Sequence, residues 1–108
     1  MISVGCANPH GLAALWSRVA GGTVDPRFGP GDDGALVELP GEGPNLVFLR
    51  VPEPKTVKNR LHLDLDADST RDAEVERVLG LGAQLYEDHR NPDGTGFVVL
   101  TDPEGNEF

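Results

Sequence analysis

His62 and Asp64 are the residues whose types and spacing first suggest chemistry. They alternate with Leu61, Leu63 and Leu65 in the run Leu61–Asp66, and strict alternation marks a strand whose successive side chains point to opposite faces. Two residues apart on one face means roughly 7 Å between backbones. An imidazole beside a carboxylate at that range can orient an acid or a base, so both are expected to line a cavity or touch a substrate. Cys6 is the single cysteine. It has no neighbouring histidine or lysine to lower its pKa, so it is predicted to be a buried reduced thiol. His10 falls in a first helical turn and His89 beside a turn, and both read as solvated tips.

Two motif look-alikes fail on their context. Gly29-x-Gly31-x-x-Gly34 spells a dinucleotide fingerprint, but no helix follows and Asp32-Asp33 would repel a pyrophosphate. Asp64, Asp66 and Asp68 have the spacing of calcium-loop ligands, yet Ser69 stands where the glycine belongs and Val75 where the bidentate glutamate belongs.

The elements that must hold these residues follow a repeating order. Ile2–Ala7 is a short apolar run that stops at Asn8-Pro9, a cap followed by a proline suited to the first helical position. Leu12, Leu15, Trp16 and Val19 then recur at helical spacing until Gly21-Gly22 ends the helix. The stretch around Val24, then Ala35–Leu39 and Asn45–Val51, read as strands. Pro52, Pro54 and the polar residues to Asn59 form a connector. Beyond it the order repeats. Leu61–Asp66 is a strand, and Asp68 or Ser69 caps a helix carrying Val75, Val78 and Leu79. Gln84–Asp88, Phe97–Thr101 and the stretch from Asn106 are strands, with a turn at Asn91-Pro92-Asp93-Gly94. A shift of 60 places Asn8 on Asp68, Leu15 on Val75, Val19 on Leu79 and Gly22 on Gly82, and a shift of 62 places Gly43 on Gly105. Cap, stripe and stop coincide, so the chain reads as an internal duplication.

Length and charge bound the rest. At 108 residues there is room for one domain or two half-size units. Eighteen acidic against nine basic side chains give a formal charge of -9, which repels nucleic acid and anionic membrane surfaces and either keeps the chain soluble or draws a cationic ligand. No leader pattern and no long apolar run is present, so the expected location is the cytoplasm.

The stretches Lys58–Leu65, Asp93-Gly94-Thr95-Gly96-Phe97 and Asp102-Pro103-Glu104-Gly105-Asn106-Glu107-Phe108 resemble the glyoxalase-like domains of the vicinal oxygen chelate superfamily (glyoxalase/bleomycin resistance/dioxygenase). Cys6–Pro9 leading into Leu12–Trp16 is similar to their opening strand and helix. The resemblance implies an α+β fold, the glyoxalase/bleomycin resistance fold: two βαβββ units whose curled mixed sheets enclose a shared cavity, helices outside. It divides a single domain 1–108 into unit one, about 1–51, a connector 52–59, and unit two, about 60–108. It also implies a homodimer.

Superfamily enzymes hold a divalent metal with His, Gln or Glu from the first and last strands of each unit, and His62 stands at such a position. Unit one offers Ile2 or Met1 at the equivalent place, and Asn45–Arg50 brings no ligand, so Phe48 and Arg50 are expected as cavity residues only. The glutamate expected about four residues after Gly105 lies past Phe108, which leaves Glu107 as the substitute on the same strand face. The expected ligand-binding set is therefore His62, Asp64, Phe48, Arg50 and Glu107, with His62 and Glu107 the only metal candidates and no catalytic residue assigned. The reading is a small-molecule binding protein like the drug-sequestering bleomycin-resistance members, without a complete metal site or other cofactor. The alternatives are a divalent-metal-dependent lyase or isomerase of the glyoxalase type, and an interaction domain with a vestigial cavity.

Overall fold

The computed structural model describes residues 1–108 as two compact units, Met1–Thr56 and Val57–Phe108. No helix is long and apolar enough to cross a membrane.

Unit one contains β1 (Ile2–Cys6), α1 (Pro9–Ala20), β2 (Thr23–Val24), β3 (Gly34–Glu38) and β4 (Leu46–Arg50). Its four-stranded sheet has the order β1-β4-β3-β2. β1 runs parallel to β4, and the other neighbours are antiparallel. α1 starts where the sequence predicts: the Asn8 side chain accepts the Gly11 N–H at 3.1 Å, with Pro9 at the first helical position. It stops at Gly21, whose φ of 70° is costly for a residue with a side chain. The helix buries Leu12, Leu15, Trp16 and Val19, and the sheet buries Ala35, Val37, Leu46 and Phe48. Register puts Ala35 beside Phe48 and Val37 beside Leu46, so these four form one face, the one that α1 covers. Burying a side chain the size of Phe48 is worth about 1.5–3 kcal/mol.

Unit two contains α2 (Arg71–Gly80), β5 (Gln84–Asp88) and β6 (Val98–Thr101). β5 and β6 pair antiparallel, with a bulge between Leu85 and Glu87. The chain then turns back: Glu107 bridges to Thr101, and Phe108 exchanges both backbone hydrogen bonds with Leu100 at 2.9 Å. α2 is capped by Thr70 rather than by Asp68 or Ser69. Thr70 is extended (φ -107°, ψ 153°), and its hydroxyl accepts the Ala73 N–H at 3.1 Å, a geometry available only to the residue directly before the first helical one.

The predicted strand at Leu61–Asp66 does not form. In unit one β1 is held by β4. β4 is paired on both sides in unit one, with β1 and with β3, whereas the Glu107–Phe108 stretch of unit two pairs with β6 alone, so Leu61–Asp66 has no ladder. Without a ladder the alternation loses its facing rule. Leu61 is 67% exposed, and Leu65, expected on the face opposite His62 and Asp64, joins them on one surface.

Candidate functional site

Within unit two, α2, β6 and the ladderless segment bound a groove of about 580 Å³. Val75 and Val78, one and two turns into α2, supply one apolar wall, and Phe97, Leu100 and Phe108 supply another. His62, Asp64, Leu65 and Asp66 form the third side. A few polar groups against apolar walls is the usual make-up of a ligand site.

His62 is fixed by its own neighbourhood. Its Nε2 lies 2.6 Å from the Asn59 carbonyl oxygen. A carbonyl only accepts, so Nε2 carries the proton, and neutral His62 keeps its lone pair on Nδ1. The same Asn59 donates its backbone N–H to Glu107 Oε2 at 3.0 Å, and its side-chain Nδ2 donates to Asn106 Oδ1 at 2.8 Å. Asn106 is held in turn by buried Asp102, which accepts the Asn106 N–H (3.0 Å), Asn106 Nδ2 (2.8 Å) and the Glu104 N–H (2.9 Å). Asp102, Asn106 and Asn59 thus form a relay that sets His62 and Glu107. None of the three was singled out as a site residue. The Asp-Pro-x-Gly-Asn pattern was a signal for Asp102, because an aspartate before a tight turn accepts the backbone N–H groups that the turn frees.

Arg71 is the only arginine or lysine on the groove lining, and two nitrogens of its guanidinium are engaged. Nη1 donates to the carbonyls of Gly94 (3.2 Å), Thr95 (2.9 Å) and Gly96 (3.2 Å), and Nε donates to Asp72 (3.0 Å). Glu74 is paired with Arg77, whose hydrogen bond holds the Glu74 carboxyl below its ordinary pKa.

The remaining expected residues lie elsewhere. Phe48 is 1% exposed in the face of unit one that α1 covers, so it serves the core and offers no open surface. Arg50 is exposed and occupied: Nε donates to Asp33 (3.0 Å), Nη1 to the Ala7 carbonyl (2.8 Å) and Nη2 to the Asp32 carbonyl (3.3 Å). Glu107 is 5% exposed, and one of its oxygens is held by Asn59. Cys6 is buried, with Sγ against the Leu49 carbonyl. His10 is half-buried rather than solvated, and its Nδ1 is enclosed without a partner. His89 lies against Glu87 at 2.7 Å and stacks on Phe97.

A catalytic divalent ion needs about three protein ligands. No three His, Cys, Asp or Glu side chains converge to hold one; His62 offers Nδ1, but Glu107 Oε2 is held by the Asn59 N–H. The donor set of this chain does not fit a resident metal.

The fold and groove define an α+β protein with a mixed sheet and outlying helices. The sequence profile of the glyoxalase-like domain matches residues 1–108, and the chain belongs to that family. No curated protein matches it. Among solved structures it is similar to a glyoxalase/bleomycin resistance protein/dioxygenase family enzyme from Burkholderia phytofirmans PsJN, with a TM-score of 0.71 and 18% identity over 99% of this chain and 91% of that one. It is also similar to a mutant of the fosfomycin resistance protein FosX from Listeria monocytogenes, complexed with Mn(II) and a dihydroxypropylphosphonic acid. That match has a TM-score of 0.70 and 13% identity, over 99% and 82% of the two chains. A lactoylglutathione lyase from Agrobacterium tumefaciens matches with a TM-score of 0.54 and 17% identity, over 99% and 88%. At these identities the likeness establishes the fold.

Proposed function

We propose that the chain is a small-molecule binding member of the glyoxalase-like family that works without a metal of its own. The observation that carries this reading is the unit-two groove, with its apolar walls and a histidine oriented by the Asn59 carbonyl. A thermal-shift screen of metals, thiols, acyl-CoA compounds and peptide antibiotics tests it, because a ligand that binds only the folded form raises the melting temperature. At a hundred times Kd the gain is about 2.7 kcal/mol. A ligand whose effect is lost in His62→Phe supports the reading. A screen without a single hit favours an interaction domain with a vestigial cavity.

The metal-dependent lyase or isomerase is the second reading, favoured by the manganese that the Listeria neighbour holds. It requires two or more further ligands to join His62 Nδ1, the ring nitrogen that the Asn59 carbonyl leaves uncommitted. Stoichiometric Mn, Zn, Ni or Fe after incubation and desalting would support it, and less than about a tenth of an equivalent would remove it. We further propose that the protein is a cytoplasmic homodimer, which light scattering on the purified chain and fractionation of the source cell test separately.

A further inference from the structure

The polar groups of the unit-two groove are unevenly spent. Its one guanidinium, that of Arg71, is committed through Nη1 to three carbonyls and through Nε to Asp72. Glu74 is committed to Arg77. The acceptors that remain on the groove lining are His62, whose uncommitted ring nitrogen is Nδ1, and the carboxylates of Asp64 and Asp66. Nδ1 is the acceptor of the neutral ring because Nε2 donates its N–H to the Asn59 carbonyl at 2.6 Å. The carboxylates are acceptors too. A ligand that satisfies these three has to bring the donors, while its body has to match Val75, Val78, Leu100 and Phe108.

We propose that the groove selects a primary or secondary ammonium carried on an apolar body, with His62 Nδ1 accepting one of its N–H bonds and Asn59 acting as the positioning residue that fixes the neutral ring as its Nε2–H tautomer. This rests on the groove being a ligand site, and it adds the class of ligand and the atom that recognises it. At these three side chains a neutral carbonyl compound or an anion of the same size would set acceptor against acceptor. Charge is a secondary contribution: the carboxylates of Asp64 and Asp66 are exposed and attract any cation, whereas the histidine distinguishes a cation with N–H bonds from one without.

The test uses two probes of like shape and charge, phenethylammonium and its N,N,N-trimethyl analogue, on the ¹⁵N-labelled chain. Long-range ¹H–¹⁵N correlation should give the Nε2–H pattern for His62, with an Nε2 proton slow enough in exchange to be seen. Phenethylammonium should shift the Nδ1 resonance and bind about tenfold or more tightly than the trimethyl analogue, the worth of one hydrogen bond to a charged group. His62→Gln, which retains a donor for Asn59 and an acceptor for the ligand, should keep that preference. His62→Phe should abolish it, with circular dichroism showing that both variants fold. Equal affinity for the two probes, an Nδ1–H tautomer, or an unchanged preference in His62→Phe would overturn the proposal. Binding of neither probe also overturns it, and a hit of another chemical class in the thermal-shift screen would then leave the ligand-site reading standing on its own.

Discussion

Single side chains here act mostly by occupying one another. Asp88 at the end of β5 receives Arg90 Nε at 2.9 Å and Nη2 at 2.6 Å, and these hydrogen bonds hold its carboxyl at about 2 against an ordinary 3.8. A depressed carboxylate stabilises the fold above its unfolded pKa, and the contribution fades as pH falls through the folded one. The Asp88 carboxyl carbon followed by NMR should therefore titrate near pH 2, and Arg90→Ala should return its midpoint towards 3.8. Gly96 is a second case. Its φ is +98°, and a Cβ there would run into the His89 carbonyl oxygen. Gly96→Ala should lose roughly 1–2 kcal/mol from the backbone conformation alone, more with the clash, as read by urea denaturation.

At the scale of elements, unit one stands on a single helix-to-sheet contact. Phe48→Ala removes the largest fully buried side chain of that contact, and a cost of about 3–5 kcal/mol is expected in chemical denaturation. That contact was legible in the sequence because Leu12, Leu15, Trp16 and Val19 keep helical period between an Asn-Pro start and a Gly-Gly stop. β3 to β6 each fall within a residue of their predicted bounds. Leu61–Asp66 was not legible. Alternation records which faces a strand would have, but a strand also needs a ladder, and that depends on which segment comes to lie alongside. Half of the site was hidden for a related reason. His62 and Asp64 stand out by type, whereas Asn59 and Asn106 act through a backbone carbonyl and an amide-to-amide bond that no spacing rule encodes. Phe48 was misplaced to the cavity because the outcome turned on which of two sheet faces α1 covers.

For the whole molecule the charge is unevenly spread. Residues 57–108 hold twelve acidic and five basic side chains, against six and four in residues 1–56, so most of the -9 falls on unit two. Several of its acids are paired: Asp72 and Asp88 with Arg90, Glu74 with Arg77. Asp64, Asp66 and Asp68 lie exposed along one approach to the groove. Repulsion among exposed like charges weakens over about 10 Å at 0.1 M salt, so the melting temperature should rise on going from salt-free buffer to physiological ionic strength. A fall would mean that the ion pairs outweigh the repulsion.

An extended segment with unclaimed amides and carbonyls is a template on which any other chain can lay down a strand. Leu61–Asp66 pairs with no strand of its own chain, and its leucines would make it adhesive if Asp64 and Asp66 did not interrupt them. These carboxylates therefore act as gatekeepers against self-association as well as groove residues. Replacing both with asparagine should produce turbidity on mild heating where the parent chain stays clear.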